Sequence, residues 1–174
     1  VYNKLQDTPL IPKKLLAKEV FGGKLKTICS GGAYLNPEMV DKFEEYGIKI
    51  LQGYGMTECS PVISINPPWA INKNSVGKLL PGCKAQIVEE EIWVKSPSVM
   101  MGYYKMPEET KETLEDGWLK TGDLGYVDDE GYLYITGRKK NLIILKNGEN
   151  VSPEEIENEL SKDRLVKEIL VREA

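Results

Sequence analysis

Apolar and polar positions alternate along this chain with two different periods, and the change of period divides it. Around Ile48 to Leu51 the residues form a short apolar, β-branched run, which reads as a buried strand. It runs into Gln52-Gly53-Tyr54-Gly55-Met56-Thr57-Glu58, a Gly-spaced tip carrying a hydroxyl and a carboxylate. Before it, Leu25 to Cys29 reads as a second short strand that ends in the small residues Ser30-Gly31-Gly32-Ala33. Between the two, Val40, Phe43 and Tyr46 keep helical spacing. Asn36-Pro37-Glu38 supplies a cap, a first-position proline and an early acid, and Gly47 ends the helix. Strand, helix and strand in this order predict a parallel pair with both Gly-rich tips on one edge. An earlier helix is expected after Pro12, stopped by Gly22-Gly23.

From about Ser75 the texture becomes that of short antiparallel strands. Val76 to Leu80, Lys84 to Val88 and Ile92 to Lys95 are strand candidates, interrupted by Pro81-Gly82 and Glu89-Glu90. The acidic run Glu89-Glu90-Glu91 reads as hairpin surface. Pro107 to Leu114 is expected to be a short helix, and Trp118 to Asp123 a strand ending in a Gly turn. Asp128-Asp129-Glu130-Gly131 reads as the turn of a hairpin between 124–127 and 132–136. After the basic connector Gly137-Arg138-Lys139-Lys140-Asn141, a strand is expected at 142–146 and a tight turn at Asn147-Gly148. Ser152-Pro153-Glu154-Glu155 has the composition of a capping box opening a last helix through Ile156 and Leu160. The fold class is therefore α/β. The end of a mixed sheet domain (1–74) is followed by a small antiparallel β subdomain (75–138) and the start of an α+β C-terminal domain (139–174).

Composition narrows the function classes. The chain is 41% hydrophobic and 29% charged, ordinary for a globular protein, and no apolar run approaches the roughly 18 residues of a membrane span. A net charge of −4 without a Lys/Arg cluster argues against nucleic-acid binding. There is no histidine, which excludes His triads, His metal ligands and a His general base within this sequence. Cys29, Cys59 and Cys83 are odd in number and far apart, which points away from a disulfide framework or zinc site and toward a reducing cytoplasm. Val1 is not a Met, and the apolar run Ile169 to Val171 near Ala174 reads as a strand in use, so the chain is expected to be a piece of a longer protein.

Several residues have candidate chemistry, and each alone also fits a turn, solvated surface or, for Tyr54, an ordinary half-buried strand position. Thr57 beside Glu58 can hold a phosphate oxygen and a divalent cation together. Tyr54 offers a ring face, Asp123 can accept from a ribose diol, and Arg138 carries a planar donor fork.

Their joint order carries a resemblance. Ser30-Gly-Gly-Ala33, Gly53-Tyr-Gly-Met-Thr-Glu58, Thr121-Gly-Asp123, Gly137-Arg-Lys-Lys140 and Asn147-Gly-Glu-Asn-Val-Ser-Pro-Glu-Glu-Ile-Glu157 together resemble the adenylate-forming superfamily of acyl- and aryl-CoA synthetases, luciferases and adenylation domains. The texture of Ile92 to Tyr104 is most similar to bacterial long-chain fatty acid CoA ligases. The resemblance implies an enzyme that joins a carboxylic acid to AMP from ATP with Mg²⁺, releases pyrophosphate, and passes the acyl group to CoA. It implies that Gly31, Gly32 and Ala33 line adenine and that Tyr54 packs on it, with Gly53, Gly55 and Met56 in the same loop. It further places Thr57 on phosphate, Glu58 on Mg²⁺, Asp123 on the ribose hydroxyls and Arg138 nearby. Lys140 falls at the hinge before the small domain, and the loop at Asn147 and Gly148 near the CoA tunnel. The loop reads Leu-Lys-Asn-Gly-Glu-Asn where relatives carry a Gly-Gly pair. The family's phosphate loop ending in Lys and its C-terminal catalytic Lys have no match here, so the isolated chain is expected to be inactive or nearly so. The alternatives are a piece of an amino-acid-adenylating domain and a non-catalytic nucleotide-binding module.

Overall fold

The computed structural model describes residues 12–163 and 165–173. Helix α1 (Lys13–Val20) follows Pro12 and stops before Gly22 and Gly23, both at positive φ. Strand β1 (Thr27–Ser30) lies parallel to β2 (Lys49–Gly55), from Thr27 opposite Lys49 to Ser30 opposite Gln52. The connecting helix is α2 (Pro37–Glu45). This is the expected crossover, and its start is capped as expected, with Asn36 Oδ1 accepting the Glu38 amide at 2.9 Å. Asn36→Ala is expected to cost about 1 kcal/mol in urea unfolding, because that amide then has no local acceptor. Leu16 and Ala17 of α1 bury against Tyr46 and Ile48, fixing the helices to one another and to the sheet.

Strand β3 (Val62–Ile65) returns antiparallel to β2, and β4 (Lys78–Leu79) adds to its far side, so the first sheet runs β1-β2-β3-β4. The strand expected at Val76 to Leu80 is thus only Lys78–Leu79, and its ladder is with β3, while toward the strands that follow Lys78 makes an isolated bridge to Tyr132. Gly77 explains the docking: its φ is +90°, and a Cβ there would lie 1.9 Å from the Ile65 carbonyl carbon. The same segment holds the second sheet, since Val76 donates to the Leu133 carbonyl and Leu133 to that of Gly77.

The second sheet is antiparallel throughout. It contains β5 (Lys84–Val88), β6 (Glu91–Lys95), β7 (Leu114–Glu115), β8 (Trp118–Val127) and β9 (Leu133–Arg138), with α3 (Pro107–Thr113) ahead of β7. Its inward residues Ile92, Val94, Leu119 and Leu133 join Cys59 and Ile63 of the first unit in one fully buried core. Two expectations change here. Trp118 to Asp123 does not end in a turn. The strand continues to Val127, and Gly122 (φ +72°) forms a bulge within it. Glu91 is not hairpin surface: the turn is made by Glu89 and Glu90, both at positive φ, and Glu91 is only 5% exposed.

Beyond β9 comes a 3₁₀ turn (Lys139–Asn141), then the hairpin β10 (Ile143–Ile144) and β11 (Asn150–Val151), with Gly148 at φ +84° in its tip. Helix α4 (Pro153–Leu160) begins where expected, but no capping box forms. The Ser152 hydroxyl instead donates to the Thr136 carbonyl at 3.0 Å, which ties the helix to β9. The run Ile169 to Val171, expected as a strand, is irregular; the Val171 amide donates to Glu157 of α4.

Candidate nucleotide site

Parallel pairing of β1 and β2 puts their C-terminal tips side by side, and this creates the site. Ser30 is opposite Gln52, so the loop 30–33 leaves the sheet beside Gly53–Gly55, the last residues of β2, which go on pairing with β3. They approach so closely that a Cβ on Gly31 would lie 2.9 Å from the Gly53 carbonyl oxygen. A cavity of about 460 Å³ opens over them, bounded also by Asp123 and by Arg138 at the end of β9. Ends of parallel strands are where open α/β sheets place their ligands.

The far wall is polar and tightly bonded. The Gly122 bulge presents Asp123, and strand pairing sets Arg138 opposite it. Tyr54 donates its hydroxyl to Asp123 Oδ2 at 2.6 Å, and Arg138 Nε forms an ion pair with Oδ1 at 3.0 Å. Asp123 is buried while the Arg138 side chain is 69% exposed, so the pair has a dry end and a wet end. Burial pushes the Tyr54 hydroxyl well above its ordinary pKa, and the Asp123 carboxylate adds to the rise. Tyr54 is therefore a fixed neutral donor whose ring packs against the common core.

Of the sequence-predicted residues, Gly32, Ala33, Gly53, Tyr54, Gly55, Met56, Asp123 and Arg138 line this one cavity. Gly31 acts one step back, by letting the 30–33 loop meet β2 at Gly53. Thr57 and Glu58 lie in a 3₁₀ turn just past the cavity lining. Glu58 Oε1 accepts from the Tyr103 hydroxyl at 2.8 Å, and its carbonyl accepts from the Met100 amide. Among the described residues no group of three or more His, Cys, Asp or Glu side chains is arranged to hold a metal. Glu58 thus offers a single carboxylate, a donor set that suits Mg²⁺ held largely by phosphate and water oxygens. Lys140 is exposed in the connector, and Asn147 and Gly148 form the hairpin tip; none of the three lines the cavity.

Sequence reasoning missed two parts of the wall. The loop 73–76 closes one side, held by Gln52 Nε2 donating to the Lys73 carbonyl at 2.6 Å. Helix α4 closes another with Glu154, Glu157 and Asn158. Their i, i+3, i+4 spacing marks one polar helix face, but spacing alone does not say what that face meets.

Comparison with known proteins identifies the family and the fold. A family model described as AMP-binding enzyme matches residues 1–104. A long-chain-fatty-acid–CoA ligase of Bacillus subtilis is 44% identical over 161 residues, covering 84% of this chain and 29% of the relative. A 2-succinylbenzoate–CoA ligase of Bacillus cytotoxicus is 41% identical over 165 residues, covering 88% of this chain and 34% of the relative. The solved o-succinylbenzoate CoA synthetase of Bacillus subtilis superposes with a TM-score of 0.76 in complex with its acyl-adenylate intermediate, at 32% identity over 89% of this chain and 36% of that one. In complex with ATP and magnesium ion it superposes with a TM-score of 0.74, at 33% identity over 91% and 34%. The chain spans about a third of the length of the curated relatives it matches. It belongs to the AMP-binding enzyme family, among the adenylate-forming acyl-CoA ligases.

Proposed function

We propose that this chain is the part of an ATP-dependent acyl-CoA synthetase that holds the adenosine and α-phosphate of the nucleotide. In the first half-reaction a carboxylate oxygen attacks the α-phosphorus, forming acyl-AMP and expelling pyrophosphate. In the second the CoA sulfur attacks the acyl carbonyl and AMP leaves. The observation that carries the reading is the Tyr54–Asp123–Arg138 constellation, drawn from three strands onto one wall of the cavity. Asp123 faces the ribose hydroxyls, beside Arg138. Gly31, Gly32 and Ala33 border adenine with Tyr54, while the Gly53–Thr57 segment approaches the phosphate. Mg²⁺ on Glu58 would neutralise phosphate charge. The reaction asks for position and charge more than for proton transfer, which suits a sequence without histidine.

Residues 1–74 and 75–138 belong to the large domain in this reading, and 139–174 begin the small one. Lys140 is its hinge, the loop at Asn147 and Gly148 lies near CoA, and the enzyme works in the cytoplasm. The acyl donor is a fatty acid, supported by the 44% identity to the Bacillus subtilis ligase. The 41% identity to the Bacillus cytotoxicus ligase supports an aryl acid of the succinylbenzoate type as the second reading. Nitrogen-15 NMR of the chain titrated with AMP is expected to shift the amides of Gly32, Tyr54 and Asp123; no shift there overturns the nucleotide reading. Pyrophosphate release by the full-length gene product is expected with fatty acids. Turnover with succinylbenzoate alone supports the second reading, and turnover with amino acids alone overturns both.

A further inference from the structure

Glu91 is the one member of its acidic run that faces inward. Its side chain is 6% exposed, and a carboxylate withdrawn from water is costly unless it is both paired and hydrogen-bonded. Glu91 meets both conditions. Oε1 accepts the Gly122 amide at 2.9 Å, and Oε2 accepts from the Lys139 ammonium at 2.9 Å. Burial alone would raise the carboxyl's pKa, but Lys139 and the Gly122 amide outweigh it and hold the group below its ordinary range.

The two partners come from different segments, and each adjoins a residue of the cavity wall. Gly122 precedes Asp123, and Lys139 follows Arg138. At Gly122 the pairing of β6 with β8 slips: Trp93 is opposite Lys120, whereas Glu91 is opposite Leu124. The surplus residues of β8 bulge from the ladder, and the bulge is what presents Asp123. The Glu91 carboxylate receives the bulge amide and, on its other oxygen, the first residue beyond β9.

We propose that Glu91 is a positioning residue for the nucleotide, clamping the Gly122 bulge to the Lys139 connector and so setting the Asp123–Arg138 pair against the ribose. Glu91 itself lies outside the cavity lining. The inference rests on the nucleotide reading above.

Glu91→Gln keeps the volume and an acceptor for Gly122 and removes the charge that holds Lys139. Its Kd for AMP, by calorimetry, is expected to rise about tenfold. The Kd for 2′,3′-dideoxy-AMP, which lacks the hydroxyls that Asp123 would receive, is expected to stay within about twofold. Lys139→Met is expected to give the same selective loss, and the double variant no more than either single one. It also carries the test if Glu91→Gln does not fold, since the Lys139 side chain is 49% exposed. Equal losses for both nucleotides mark a general structural role and overturn the assignment, as does an unchanged Kd for AMP. If the unmodified chain binds neither nucleotide, the nucleotide reading is what fails. Amide exchange then decides the clamp. Exchange at Gly122 about tenfold faster in Glu91→Gln, with β2 unchanged, supports it, and unchanged exchange at Gly122 overturns it.

Discussion

Replacing Asp123 by Asn is expected to weaken AMP binding by about ten- to a hundred-fold while the chain stays folded. The magnitude follows from the bonds the carboxylate makes. A hydrogen bond to a charged group is worth about 1.5–3 kcal/mol, and the ribose diol would lose its charged acceptor. Stability should fall less. The Arg138 side chain is 69% exposed, so solvent screening leaves its ion pair with Asp123 at about 1 kcal/mol or below. The Tyr54 hydroxyl bond to Asp123 is the larger loss, at about 1–2 kcal/mol, since an Asn side chain offers one oxygen where two donors converge. Calorimetry with AMP and urea unfolding separate the two effects. Unchanged AMP affinity in Asp123→Asn would remove the ribose role, whatever happened to stability.

How much of this wall can be read from the residues depends on whether a signal is local. The two Gly-rich tips are legible because each follows an apolar run and a helix of fixed length separates them. Parallel pairing then forces them onto one edge. The Tyr54–Asp123 bond is not legible this way, since it joins residues 69 apart through two sheets. Only the joint order of motifs points to it. Glu91 shows the opposite failure. Three consecutive acids read as solvent-facing, but the turn takes only Glu89 and Glu90, and the next residue begins β6 facing inward.

The same distinction explains the fold. The cap at Asn36 and the turn at Gly148 depend on a few neighbouring residues, and both form as expected. Ser152 has equally good local credentials, but its hydroxyl meets the Thr136 carbonyl of β9 and the Glu154 carboxylate, and caps no amide of its own helix. Lys78–Leu79 has no local reason to prefer β3 over β5. Its position is decided by Gly77, where the backbone passes within contact of Ile65. Close backbone approaches of this kind recur at glycines, and their partners lie elsewhere in the chain.

Gly55→Ala should therefore be among the most damaging single-methyl additions in the chain. At Gly55 the pairing of β2 with β3 slips, with Tyr54 opposite Ser64 but Gly55 opposite Val62. The chain turns back there so tightly that the Met56 amide donates to the Pro61 carbonyl at 2.8 Å. A Cβ on Gly55 would lie 2.0 Å from the Pro61 oxygen, 2.8 Å from its carbonyl carbon and 2.9 Å from the Val62 Cα. All three are backbone atoms, so no side-chain rotation relieves the overlap. Either the turn opens and gives up its hydrogen bond, or β3 moves and disturbs Ile63, which is fully buried in the common core. The cost is expected to reach about 3 kcal/mol or more, beyond ordinary overpacking. For a chain of this size that corresponds to a fall in Tm of about 6–12 °C. The same movement would carry Tyr54 off Asp123, so AMP affinity should fall together with stability. A variant with unchanged Tm would show that the tip has room to shift, and that the contact with Pro61 does not hold Tyr54 in place.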